Sequence, residues 1–172
     1  MTLKQRIRNY SLKKLGKSKK PGIPYPGYEA IKEVVIIFEK GPADQAVQNF
    51  ARQLKTDHKK VQLMAYIPQK RKEIIEHQPF EYFCKDDINW YGRPKPEVLT
   101  SFGKNRPDVL ISINEKGESP LQFLAIACNA NFSIGLKKTA LQIYDLQVAH
   151  PKGQDFTSVF KEVDYYLKFI NQ

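Results

Sequence analysis

Residues 107–135, PDVLISINEKGESPLQFLAIACNANFSIG, leave few folds open to this chain. Val109, Leu110, Ile111, Ser112 and Ile113 form a short, mostly apolar run rich in β-branched residues, which predicts a buried strand. A polar turn follows over 114–118. Ser119 then stands at an N-cap position, with Pro120 at the first helical position and Gln122 three residues after the cap. A capping box and an N1 proline both start a helix at this point. The helix is predicted to reach about Asn129. It is apolar nearly all round, so it must be packed on more than one side. Residues 132–135 predict the next strand. Strand, tight turn, helix and strand together make a βαβ crossover.

The rest of the chain repeats that alternation. Val34, Val35, Ile36, Ile37 and Phe38 predict a first, central strand. Pro42 and Asp44 can open the next helix, with Ala46, Val47, Phe50, Ala51 and Leu54 on its inner face. A second strand is expected over 61–66, a short helical stretch over 70–77, and a short third strand over 80–83. Residues 85–96 read as a loop and 97–104 as a turn of helix. A last strand is expected over 143–148 and a last helix over 156–170. Strands that alternate with helices predict an α/β fold: a single Rossmann-like, mainly parallel sheet with helices on both faces. The expected strand order is 3-2-1-4-5.

Charge divides the chain differently. Its net charge is +10, yet eight of its 28 basic residues lie in the first 20 positions, where there is no acid. The remainder is nearly neutral. We therefore read a basic N-terminal arm over 1–20, a Pro/Gly linker over 21–28 and an α/β domain over 29–172. Leu3, Ile7 and Tyr10 share one helical face of the arm, while Leu12 and Leu15 do not continue it, so a partner is expected to order this helix. No apolar run reaches the ~18 residues that would span a bilayer, and no apolar signal core follows the basic start. A cytoplasmic location is the expectation, with Cys84 and Cys128 as thiols.

Chemistry is sparsely written. The turn after the first strand has one glycine, Gly41, followed by proline, where a dinucleotide fold wants three spaced glycines. No P-loop, nucleophile elbow or zinc-ligand spacing is present, and His58, His77 and His150 are isolated. No catalytic residue, metal site or cofactor is expected. A crevice at the sheet switch point would be lined by Gly41, Asn114, Glu115 and Ser119, near Glu39 and Lys40; these residues equally suit a cap and a solvated turn. The loop 85–96 holds the one tryptophan. Trp90 and Tyr91 can stack on bases while Arg93 and Lys95 meet phosphates. Asp86 and Asp87 offer a cation only two adjacent carboxylates.

The arm is the strongest signal. Arg6, Arg8, Lys13, Lys14, Lys17, Lys19 and Lys20 suit a polyanion, whose binding releases counterions. The expected function is non-catalytic binding of structured RNA, ribosomal RNA above all, with ribosomal proteins as neighbours. Anionic lipid is a rival partner for the same charges. Two other classes stay open: a nucleotide or sugar at the switch point, and a protein-binding scaffold.

Two resemblances carry this further. The segments Asp87-Ile88-Asn89-Trp90-Tyr91-Gly92-Arg93-Pro94, Pro107-Asp108-Val109-Leu110-Ile111 and Ala130-Asn131-Phe132-Ser133-Ile134-Gly135 resemble a family of small uncharacterised bacterial α/β proteins. That resemblance covers nearly the whole chain and implies the fold but no activity. Residues 107–135 alone are similar to the acceptor-side half of heptosyltransferase-like glycosyltransferases. It implies a half-enzyme, since the chain is too short for the half that holds the nucleotide-sugar, and no residue here matches a catalytic one.

Overall fold

The computed structural model describes residues 1–17, 25–103, 106–136, 143–151 and 153–170. Among these, six strands form one sheet: β1 (Glu33–Glu39), β2 (Lys60–Ile67), β3 (Glu81–Cys84), β4 (Val109–Ile113), β5 (Phe132–Leu136) and β6 (Leu146–Val148). Their order is β3-β2-β1-β4-β5-β6, and every neighbouring pair is parallel. This is a Rossmann-like arrangement, wider by β6 than the order expected from sequence.

Both faces of the sheet are covered, which explains the unbroken apolar runs in β1 and β4. Val34, Ile36 and Phe38 face one core with α2 (Asp44–Thr56) and α5 (Phe156–Phe169). Val35 and Ile37 face the other, with α3 (Pro96–Gly103) and α4 (Ser119–Cys128). Asp44 starts α2 by accepting the Gly41 N–H at 2.8 Å.

The second packed side demanded by α4 is supplied from within the chain. Helix α1 (Leu3–Lys17) lies on its outer surface, where Leu12 is buried against Phe123 and Ile126 with Leu15 beside it. Leu3 and Tyr10, the stripe visible in the sequence, stay exposed. Within the chain, residues 3–17 of the arm expected to need a partner for order pack on α4, which keeps Phe123 and Ile126 from water. Residues 18–24, with Lys19, Lys20 and the start of the linker, lie outside the described residues. The linker's end is pinned down. Tyr25 is buried, its hydroxyl donates to the Leu167 carbonyl, and its ring lies 5.0 Å from Phe132.

Other local expectations shift for identifiable reasons. Ser119 is not the cap of α4; that position is held by Glu118, and no side chain caps the helix. Gln122 instead donates to the Gly117 carbonyl at 3.3 Å. The helix expected over 70–77 reduces to one 3-10 turn, Arg71–Glu73, closed by the Glu73 carboxylate on the Lys70 N–H at 3.0 Å. Ile75 finds no core there and is 93% exposed. Strand β6 begins late because its approach has other work. The Asp145 carboxylate accepts the Ser133 N–H at 2.8 Å and its hydroxyl at 2.6 Å. The Tyr144 ring crosses over Gly135 so that its hydroxyl donates to Ser112 at 2.8 Å.

Candidate functional site

In an open parallel sheet, ligands bind beyond the carboxyl ends of the strands, where the order reverses. Here that point lies between β1 and β4, and it is filled. Lys116 reaches across it to Glu39 at 2.6 Å. The space left among Glu39, Lys40, Pro42, Glu115 and Phe156 is about 30 Å³, room for a water or two. Asn114 is buried and faces its own turn: its amide donates to the Glu118 carbonyl at 2.9 Å and accepts the Glu118 N–H at 2.6 Å. Glu115 lies 3.8 Å from His150, whose ring packs on Phe156 at 4.5 Å. The crevice expected around Gly41, Asn114, Glu115 and Ser119 therefore does not form a ligand cavity. Gly41 and Asn114 serve local turns, Glu115 lies against His150, and Ser119 lines a neighbouring groove.

An open groove of about 490 Å³ lies beside it, on the side of β2 and α4. One wall is α1, through Lys4 and Arg8. The other is the loop after β3, through Lys85, Ile88, Asn89, Trp90, Tyr91 and Gly92. The start of α4, Glu118 to Pro120, and Tyr66 at the end of β2 complete the lining. Burial, with the Glu118 and Glu39 carboxylates nearby, pushes the Tyr66 phenol up to about 12.

The aromatic loop is built by its polar residues. Asp87 accepts the Cys84 N–H at 2.9 Å and pairs with Arg71 at 2.5 Å, while Asp86 accepts the Arg71 N–H at 2.8 Å. Burial opposes ionisation of Asp87, but the Cys84 hydrogen bonds and the Arg71 guanidinium outweigh it and hold the carboxyl below its ordinary range. Asn89 accepts the N–H groups of Tyr91 at 3.2 Å and Arg93 at 2.9 Å, and Ile88 bridges to Pro94. The loop then presses on α4 at Gly92, whose φ of +92° and closeness to Ser119 exclude a side chain: a Cβ there would lie 2.4 Å from Ser119 Oγ.

This geometry sorts the aromatic pair. Tyr91 is the anchor, 6.4 Å from Phe123 and 5.4 Å from Trp90. Burial raises its phenol, but hydrogen bonds with Asn89, Arg93 and Ser11 prevail and bring it below tyrosine's ordinary value. Ser11 belongs to α1, so the same tyrosine ties the two walls together. Trp90 is 60% exposed and is available as a stacking surface.

Of the residues expected to meet RNA, the structure brings Arg8, Trp90 and Tyr91 into one groove. Arg93 lies by Tyr91, and Lys95 is exposed outside the lining. Arg6, Lys13 and Lys14 are exposed elsewhere on α1; the side chain of Lys17 and residues Lys19 and Lys20 lie outside the described residues. Lys4, Lys85, Tyr66, Glu118 and Pro120 were not among the site residues expected from sequence. Lys4 had a legible signal, since it precedes Arg8 by one helical turn. Asp86 and Asp87 are engaged by Arg71, and among the described residues no three His, Cys, Asp or Glu side chains gather as a metal site. Cys84 and Cys128 are buried free thiols.

The chain matches the model of a family of unknown function (DUF6913) over residues 4–170, and it belongs to that family. No curated protein and no solved structure matches it. The likeness to heptosyltransferase-like halves gains no support, and the residues that carried it have structural duties. Asp108 accepts the Lys32 and Glu33 N–H groups at 2.8 and 3.0 Å, fastening β4 to the start of β1. Gly135 makes room for Tyr144. Among the described residues no helix is long and apolar enough to cross a membrane.

Proposed function

We propose that this member of a family of unknown function is a non-catalytic RNA-binding protein that lodges a nucleotide of the strand between α1 and Trp90. One observation supports the reading above others: a single open groove gathers Lys4, Arg8 and Lys85, the exposed Trp90 ring and the uncapped start of α4. Cations meet phosphates, and an exposed indole stacks on any base. Arg6, Lys13 and Lys14 extend the positive surface along α1, so a strand leaving the groove runs over further charge. A ribosomal particle is the proposed host in the cytoplasm. The groove also has the size of a small-molecule site, ~300–1,000 Å³, so a free mononucleotide is the second reading. A half-transferase reading is weaker, because the switch point holds room for water only.

Trp90 is the one tryptophan, so its fluorescence reports the groove directly. Titration with a ten-nucleotide single-stranded RNA should quench it. The affinity should fall with salt by a log–log slope of about −0.7 for each phosphate engaged. The double variant Lys4→Glu/Arg8→Glu should weaken binding at least tenfold with an unchanged melting temperature. Saturating RNA without quenching, or binding indifferent to salt and to the double variant, would refute the reading.

A further inference from the structure

We infer that the groove prefers guanine, with the Glu118 carboxylate reading the edge of a base stacked on Trp90; the inference rests on the nucleotide reading above and names the base. Glu118 is the one carboxylate in a lining that also holds Lys4, Arg8 and Lys85. In a groove for a polyanion it repels any phosphate that comes near. It is half-buried, and among the described residues its side chain makes no hydrogen bond and pairs with none of the three cations. Its backbone is nevertheless clamped. Asn114 accepts the Glu118 N–H at 2.6 Å and donates to the Glu118 carbonyl at 2.9 Å, and the Gln122 N–H reaches the same carbonyl at 3.3 Å. A carboxylate held this way, with no internal donor, is placed to accept hydrogen bonds from whatever fills the groove.

The donors of a nucleotide decide what that is. With phosphates on the cations and a base on Trp90, Glu118 is left to meet the base edge or the sugar. An ionised carboxylate only accepts. Within a strand the ribose offers one neutral donor, its 2′-hydroxyl. Guanine offers two side by side, N1–H and the N2 amino group, which match the two carboxylate oxygens in a bidentate, charge-assisted pair. Adenine and cytosine each set a lone pair beside the amino group, and uracil flanks its one N–H with two carbonyls. Each of these three brings an acceptor against the carboxylate, which then gives up water without full replacement. Tyr66, in the same lining, adds no second negative charge there: burial, with the Glu118 and Glu39 charges, pushes its phenol up to about 12.

Trp90 fluorescence titrations of the full chain test the preference, with affinity read from the midpoint so that the different quenching strengths of the bases drop out. The ligands are the single-stranded RNAs UUGUU, UUAUU, UUCUU and UUUUU, and an oligo(dT) of the same length. UUGUU should bind at least about fivefold tighter than each of the other three RNAs. Glu118→Gln keeps the size of the side chain and the clamped backbone, and should bring that ratio to about one; a thermal melt verifies the fold. Equal affinity for the four RNAs overturns the guanine preference and leaves the groove reading standing. Equally tight binding of UUGUU and UUAUU overturns it too, since stacking of purines on Trp90 then suffices. A guanine preference that survives Glu118→Gln overturns the assignment to the carboxylate. A preference for UUUUU over oligo(dT) that needs Glu118, without one for guanine, overturns the base reading and gives the carboxylate to the sugar. Quenching by none of the ligands overturns both the guanine preference and the groove reading.

Discussion

Replacing Leu12 by alanine should release α1 from the domain and leave the sheet intact. Leu12 is 1% exposed, and among the described residues its cluster has Phe123 and Ile126 as buried partners. Removing a buried leucine side chain costs about 2–5 kcal/mol, least where neighbours can collapse or water can enter. An outer layer permits both, so we take about 2–3 kcal/mol, a factor of roughly 30–150 in the docking equilibrium. Helix α1 has 15 residues, near the length at which an isolated helix is only marginal in water. Undocked, it should melt. Amide hydrogen exchange reads this element by element. Amides of α1 should lose protection by that factor of about 30–150, whereas β1 and β4 should keep theirs. Groove affinity should fall as well, because Lys4 and Arg8 leave with the helix. Equal loss of protection in β1 and α1 would refute the reasoning, since it would make α1 part of one cooperative unit.

Two further substitutions test the packing. Gly135→Ala would place a Cβ 2.3 Å from the Tyr144 ring, which must then leave its site and its bond to Ser112. A loss of about 2 kcal/mol or more is expected in urea unfolding, and Tyr144→Phe, which keeps the ring, should cost about half as much. Asp87 gives a pH signature. Its folded carboxyl titrates below the unfolded value of about 3.9, so its contribution is complete above that value and is lost as pH falls through the lower folded one. Asp87→Asn should flatten this part of the acid limb in unfolding experiments between about pH 5 and 2, and an unaltered acid limb would contradict the role given to Arg71.

Much of the sheet was legible because its signal is local. The runs in β1 and β4 need only burial on both faces, and their lengths leave no alternative. The start of α4 was misjudged by one position. Ser119 and Gln122 fit a capping box by spacing, but Glu118 takes the cap position while Asn114 clamps its backbone. Spacing cannot show which turn residue a buried amide will hold. The seating of the arm was not legible for a different reason. Its visible stripe is Leu3, Ile7 and Tyr10, yet the residue that docks is Leu12, chosen by the outer face of α4 more than 100 residues later. The groove was legible in pieces. Arg8, Trp90, Tyr91 and Ser119 each stood out from sequence, but Arg8 joins the other three only because α1 lies on α4. Filling of the switch point depended on the reach of Lys116 to Glu39, a contact 77 residues apart.

The placement of α1 as an outer layer on α4 has a thermodynamic corollary. A ligand touching both Lys4 or Arg8 and Trp90 spans a seam between two layers, so it acts as mortar across it. Whatever free energy it gains only when α1 is docked is returned as tighter docking, and the exchange is reciprocal. Strengthening the seam in the empty protein, for instance by a better-filled Leu12 site, should tighten binding without altering any group that the ligand touches, because less of the binding free energy is then spent on closing the layers.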